Sequence, residues 1–140
     1  MNRISFHSED IAFSIRDSDE LSGWIEDAAL DEKKILGNLS FIFCSDEYLL
    51  NVNREHLNHD YYTDIITFDY CENNTISGDI FISIDRVKEN GKLFDSGFKN
   101  ELHRVIIHGV LHVTGVVHIV HGVFHVTGVV HIVHGVLHDV

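Results

Sequence analysis

The chain has 140 residues, the length of one domain, and its hydrophobic fraction of 44% is typical of a globular protein. It begins without a signal-peptide core and carries no clean apolar run long enough for a membrane span, so we expect a cytoplasmic protein without a membrane partner. The net charge of -12 argues against binding nucleic acid through an extended basic surface. Two cysteines, Cys44 and Cys71, are too few for a disulfide framework.

The first elements are predicted from short apolar patterns. At least one of the runs 3–7 and 11–15 is expected to be a strand. A helix is predicted over residues 20–36, because apolar side chains recur there at three- and four-residue spacing. Gly37 is expected to end that helix, since glycine favours the left-handed conformation found just past many helices.

The middle of the chain alternates strands with a helix and a hairpin. Residues 39–44 are predicted to form a buried strand, and Ser45 or Asp46 would cap the helix that follows. Residues 64–70 and 78–84 are rich in β-branched and aromatic side chains, and a turn separates them. We therefore expect these two segments to pair as an antiparallel hairpin.

Two helices complete the predicted domain, over residues 85–94 and 98–114. The element order β-α-β-α-β-β-α-α indicates an α+β fold. Its expected architecture is a mixed four-stranded sheet packed with helices.

The C-terminal part of the chain is a repeat. The sequence HGVLHVTGVVHIV of residues 108–120 recurs at 121–133 with one difference, and a truncated copy occupies 134–138. A packed core needs different side chains at different places, so near-identical copies indicate added sequence. We predict a domain over 1–120 and a tail over 121–140. For the tail we hypothesise a recent duplication, an engineered insertion or an artificial origin, together with partial disorder.

The candidate chemistry lies at the start of this repeat. His108 and His112 are four residues apart, which places both imidazoles on one face of a helix. Gly115 would end the helix and let His118 fold back as a third ligand. Three neutral histidines leave a fourth position for water, the open arrangement of a catalytic zinc. The sequence therefore predicts one zinc ion per chain, on a helix in the C-terminal half.

Two alternatives bear on this site. A zinc protease of the H-E-x-x-H type needs a glutamate directly after the first histidine, and Gly109 stands there, so a mechanism of that type lacks its general base and peptide hydrolysis is disfavoured. The repeat also supplies rival ligands. His131 holds the place of His118 in the second copy, and His121 and His125 reproduce the pair. The third ligand is therefore open between His118 and a downstream histidine.

Three segments together resemble one family. Residues 108–118, HGVLHVTGVVH, resemble the signature H-G-x-L-H-L-x-G-Y-D-H of the YbeY endoribonucleases, the bacterial rRNA maturation factors. Residues 63–68, TDIITF, are similar to the T-D-V-L-S-F strand of that family, and residues 78–83, GDIFIS, to its G-D-I-x-I-S strand. The resemblance covers about residues 1–118.

The resemblance implies an α+β fold with a zinc ion held by His108, His112 and His118. It also implies cleavage of single-stranded RNA in rRNA 3′-end maturation and ribosome quality control, with single-stranded rRNA and the ribosomal small subunit as partners. The chain departs from the family at Val116–Val117, where the signature has Tyr-Asp, and at Leu57, where many members have an arginine to which RNA contact is attributed.

Two arginines are predicted to contact phosphate in the catalytic site. Arg54 is the arginine nearest to Leu57 in the sequence, and Arg104 lies one helical turn before His108. The alternative for Arg104 is a surface ion pair with Glu101. Two carboxylates have open interpretations: Asp64 and Asp79 either support the site or are ordinary strand-end residues.

Two further functions stay open from the sequence. With eight histidines after residue 107, the chain could be a histidine-rich metal-binding scaffold whose active site is compromised. The second open function is that of a metal-dependent hydrolase that acts on another substrate.

Overall fold

The computed structural model describes residues 3–114 and 130–134. Within these residues the chain forms five strands and four helices, in this order: β1 (Ile4–Ser8), α1 (Ser18–Asp31), β2 (Ile35–Cys44), α2 (Asp46–Leu57), β3 (Ile65–Asp69), β4 (Thr75–Ser83), α3 (Ile84–Leu93), α4 (Phe98–Thr114) and β5 (Val130–His134).

The strands form one mixed sheet in the order β1-β2-β4-β3-β5. β1 pairs parallel to β2, β2 pairs parallel to β4, and β3 pairs antiparallel to β4. The predicted α+β fold, its mixed four-stranded sheet and the β3–β4 hairpin are thereby confirmed. A fifth strand goes beyond the prediction: β5 pairs parallel to the outer edge of β3, with Val130 opposite Ile65.

Helices cover both faces of the sheet. One face packs with α1, α3 and α4 in the larger core cluster, and the other packs with α2 in a smaller one. Neighbouring strand residues point to opposite faces, so Ile65 of β3 belongs to the larger cluster and Ile66 to the smaller. Within the described part of the chain, no helix has the length and apolar character needed to cross a membrane.

The predicted end of the first helix is wrong. α1 stops at Asp31, and Lys33 takes the left-handed conformation at φ 56° before β2 begins at Ile35. Gly37 therefore lies inside β2 and does not stop a helix. A Cβ there would be 2.8 Å from the carbonyl oxygen of Ile76, so the glycine permits close approach of β4.

The other helix boundaries are close to the predicted ones. Ser45 caps α2 by accepting a hydrogen bond of 3.1 Å from the backbone N–H of Tyr48, as the sequence indicated. α4 spans the predicted residues 98–114. The boundary at residue 120 and the disorder of the tail concern residues that are mostly outside the described ones, and both stay predictions.

α4 lies along β3 and runs in the same direction. Arg104 is close enough to Asp64, just before β3, to affect its ionisation, and the Val113 carbonyl accepts a contact of 3.6 Å from the Cys71 thiol just after β3. Gly109 faces the sheet between these two points. A Cβ at Gly109 would be 2.7 Å from Cδ1 of Ile65, so the helix packs as closely as a glycine allows.

Replacement of this contact residue should loosen the helix from the sheet. We expect Gly109→Val to lower the free energy of unfolding by about 1–3 kcal/mol, because the added side chain overpacks the contact with Ile65. Urea unfolding followed by circular dichroism measures the change. Gly23→Val in α1 is the matched control, since nothing lies within 4 Å of its Cβ position. Equal stability changes in the two variants would contradict this account.

Candidate functional site

Two histidines of α4 meet at their ring nitrogens. Nε2 of His108 and Nε2 of His112 are 2.8 Å apart, and the ring centroids are 4.4 Å apart with 64° between the planes. The four-residue spacing on the helix produces this geometry, as the sequence predicted. His108 is buried and His112 is half-buried. Both nitrogens therefore converge on one point beside the helix.

The histidine pair fits two positions of a zinc site. Zinc–imidazole bonds of 2.0–2.1 Å in a tetrahedral site place ligand nitrogens about 3.3 Å apart, so a small rotation of either ring suffices. Neutral imidazole is a preferred zinc ligand. Among residues 3–114 and 130–134 no group of three candidate ligands comes together. The predicted third ligand, His118, and its rivals His121 and His125 lie outside the described residues.

Arg104 is held by a buried glutamate. Its Nε donates to Oε1 of Glu101 at 3.0 Å, and its terminal nitrogen donates to Oε2 at 2.6 Å. The alternative of an ion pair with Glu101 is correct in its partners; Glu101 is buried, whereas the Arg104 side chain keeps 24% of its surface exposed. Helix spacing gave the signal for this burial. Glu101, Arg104 and His108 follow one another at three- and four-residue steps, along one stripe of α4.

A buried carboxyl faces this stripe. Asp64 immediately precedes β3 and is buried, and its Oδ1 has no hydrogen-bond partner among the described residues. Burial raises the pKa of Asp64 to about 6, although the positive charge of Arg104 opposes the shift. The structure therefore brings Asp64 beside the ion pair of Arg104 and Glu101, which is one helical turn from His108.

Asp79 is on the other face of the sheet. It has the same parity along β4 as Phe81, which packs in the smaller cluster with α2. Burial raises the pKa of Asp79, and the hydroxyl of Tyr70 donates a hydrogen bond to it, which opposes the rise. The described contacts of Asp79 thus separate it from the histidine pair.

Arg54 lies in the last turn of α2 and is largely exposed. Its Nε donates to Oδ1 of Asp60 at 2.5 Å. α2 packs on the sheet face opposite α4, and no described contact joins Arg54 to the histidine pair. The phosphate contacts proposed for Arg54 and Arg104 stay predictions.

Two cavities of the described structure lie away from His108 and His112. One of about 550 Å³ is bounded by β1 and Phe13, and one of about 530 Å³ by Phe13 and the first turn of α4. Neither is lined by His108 or His112. The site on α4 is therefore defined by its side chains.

Comparison with known proteins assigns the chain to a class. The family model described as Endoribonuclease YbeY matches residues 3–119, and the second copy of the repeat begins after this match. The chain therefore belongs to the endoribonuclease YbeY family.

Individual relatives agree with this membership. The Endoribonuclease YbeY of Cytophaga hutchinsonii is 55% identical over 113 residues, which cover 80% of this chain and 79% of the relative. Those of Parabacteroides distasonis and Phocaeicola vulgatus are 52% and 50% identical over 113 residues, or 81% of this chain and 80% and 82% of the relatives. The solution structure of TM1509 from Thermotoga maritima matches with a TM-score of 0.57 and 26% identity, over 80% of this chain and 72% of that one.

The raised pKa of Asp64 makes stability depend on pH. Because the folded protein retains a proton that the unfolded chain releases above about pH 4, the contribution of Asp64 to stability falls as pH rises towards 6. We expect the free energy of unfolding to fall more steeply in the wild type than in Asp64→Asn, by up to about 3 kcal/mol between pH 4 and pH 7.

Urea unfolding at a series of pH values measures this difference. Asp95→Asn, an exposed position in the loop after α3, is the matched control and is expected to keep the wild-type slope. Parallel curves for the wild type and Asp64→Asn would show that burial of Asp64 does not perturb its titration.

Proposed function

We propose that this protein is a metal-dependent endoribonuclease specific for single-stranded RNA, acting in rRNA 3′-end maturation and ribosome quality control. Membership of the endoribonuclease YbeY family supports RNA cleavage. The proposal extends this to one zinc ion per chain, held by His108, His112 and His118. It names single-stranded rRNA of the small ribosomal subunit as the substrate and the cytoplasm as the place of action.

The observation that carries the metal is the convergence of two ring nitrogens. Nε2 of His108 and Nε2 of His112 are 2.8 Å apart on one side of α4. Such a pair is close to the separation that zinc ligands require, and both imidazoles are ligands that zinc prefers. Gly109, between the two histidines, lets the helix come close to Ile65 of β3 and Ile80 of β4.

The side chains around the pair have distinct parts in this proposal. When bound, the zinc ion would stabilise the negative charge that develops on the phosphate as the RNA is cleaved. Arg104 uses two of its N–H groups on Glu101 and keeps three more for a phosphate oxygen. Glu101 orients the guanidinium, since its two oxygens bind it at 3.0 and 2.6 Å. Asp64 adds a nearby acid that retains its proton to about pH 6.

Metal content and RNA cleavage test the proposal together. We expect the wild type to bind one zinc ion tightly and to cleave a single-stranded rRNA oligonucleotide, with activity lost on chelation. His112→Ala should lose the ion and reduce cleavage by more than about 100-fold, because a site built on the pair then keeps one of its two nitrogens. Zinc is measured by atomic absorption and cleavage by gel electrophoresis.

The repeat supplies a matched control for this variant. His125 holds the place of His112 in the second copy, with the same neighbours except at one position, so His125→Ala should retain both zinc and activity. Two or three weakly bound ions, unchanged in His112→Ala, would instead support the histidine-rich scaffold. Tight binding of one ion without RNA cleavage would support a metal-dependent hydrolase with another substrate.

A further inference from the structure

The loop between α2 and β3 presents a stacked pair of aromatic rings to solvent. We call residues 58–64 the aromatic loop. The rings of His59 and Tyr61 stack at a centroid distance of 5.2 Å with 21° between their planes, and the Tyr61 hydroxyl is 3.1 Å from Nδ1 of His59. Tyr61 is 43% exposed, and Tyr62 beside it is also exposed. Clustered aromatic surface that remains open to solvent is typical of a binding site.

The aromatic loop is anchored by one buried side chain. Asn53 of α2 is fully buried, and its Nδ2 donates to the carbonyl oxygen of Tyr61 at 2.8 Å. The backbone N–H of His59 donates to the carbonyl of Asn53 at 3.1 Å. Asn58 ends α2 in the left-handed conformation at φ 56°. The backbone that carries the two rings is therefore held before any ligand binds, which lowers the entropic cost of binding.

The aromatic loop ends at Asp64, the buried carboxyl beside the charged stripe of α4. Only Tyr62 and Thr63 separate Tyr61 from Asp64, so the two Cα atoms are at most about 11 Å apart. Asp64 in turn is close enough to Arg104 to be influenced by its charge. The ring pair is therefore close along the chain to the one carboxyl that faces the Arg104–Glu101 pair.

Charge decides what kind of contact this loop can offer to RNA. The chain carries a net charge of -12, so its long-range field repels phosphate. The arginines near the loop are also in ion pairs, Arg54 with Asp60 and Arg86 with Asp46. Stacking of a base on an aromatic ring needs no net charge and is strong for single-stranded nucleic acid.

We propose that His59 and Tyr61 form a stacking platform for one unpaired nucleobase of the RNA substrate. This inference rests on the proposed endoribonuclease function and deepens it. Because a base must be unstacked from its own helix to reach the rings, the platform gives the protein its preference for single-stranded over double-stranded RNA. Tyr61 is thus a substrate-binding residue outside the histidine site, supported in position by Asn53.

Cleavage kinetics and binding of one defined probe test the platform. The probe is a short unstructured oligoribonucleotide with a 5′ fluorophore, together with versions in which a single abasic residue is moved along the strand. With the full-length zinc-loaded protein, we expect Tyr61→Ala to raise both KM and the Kd from fluorescence anisotropy about tenfold, with little change in kcat. Tyr61→Phe keeps the ring and should remain within about twofold of the wild type.

Two comparisons make the result specific. One abasic position should weaken binding to the wild type about tenfold but have little further effect on Tyr61→Ala, because the base and the ring form one contact. Phe94→Ala removes an aromatic ring of matched exposure, 44%, at the end of α3 and should change nothing. The platform is overturned if no abasic position matters, or if Tyr61→Phe loses as much affinity as Tyr61→Ala.

The outcome is separable from that of the proposed function. Absence of cleavage by the wild type would overturn the endoribonuclease proposal, while the anisotropy measurements would still decide whether Tyr61 stacks on a base. Cleavage that is indifferent to Tyr61→Ala and to abasic residues would leave the nuclease standing and reject the platform.

Discussion

The close approach of α4 to the sheet is the contact on which the candidate site depends. Gly109 leaves room for Cδ1 of Ile65 at a distance that no Cβ would tolerate. This contact sets the rotation of the helix about its axis. With the helix in this position its apolar residues pack into the larger core cluster, and the stripe that carries His108 and His112 lies beside them on the helix. A looser helix would leave the direction of both imidazoles undetermined.

The same rotation explains the buried charges beside the histidines. Glu101 belongs to the stripe of His108 and is buried with it, and it holds the half-buried guanidinium of Arg104 at the edge of the core. A buried ion pair contributes little net stability, because desolvation of both charges offsets their attraction. The ion pair instead fixes the position of the guanidinium, because Arg104 donates two hydrogen bonds to Glu101. Asp64 is destabilised as an anion in this environment, and such a cost is typical of functional sites.

The negative net charge is reconciled with an RNA substrate by separating two kinds of contact. Phosphate contacts need local positive charge, which zinc and Arg104 would supply at one point. Base contacts need flat apolar surface, which the rings of His59 and Tyr61 offer nearby. Affinity that rests on a few short-range contacts depends less on salt than binding through an extended basic face.

The amino-acid sequence by itself determined the features that depend on local spacing. The four-residue interval between His108 and His112 sufficed to place both rings together, and the adjacent residues Ser45 and Asp46 sufficed to mark the start of α2. The hairpin of β3 and β4 was equally readable, because its strands are adjacent in sequence and joined by a short turn. The resemblance to the family was also readable, because it rests on three short segments, residues 63–68, 78–83 and 108–118, that can be compared directly in the sequence.

Only the tertiary structure decided what depends on residues far apart in the chain. Gly37 resembled a helix stop until its neighbour across the sheet, Ile76, showed that it permits close packing of strands. The addition of β5 beside β3 joins segments more than sixty residues apart, and a strand sequence does not state its partner. Burial of Glu101 and the raised pKa of Asp64 likewise arise from the packing of α4 on β3. Spacing along one helix positions His108 and His112, whereas the sheet beneath the helix determines which charges share their surroundings.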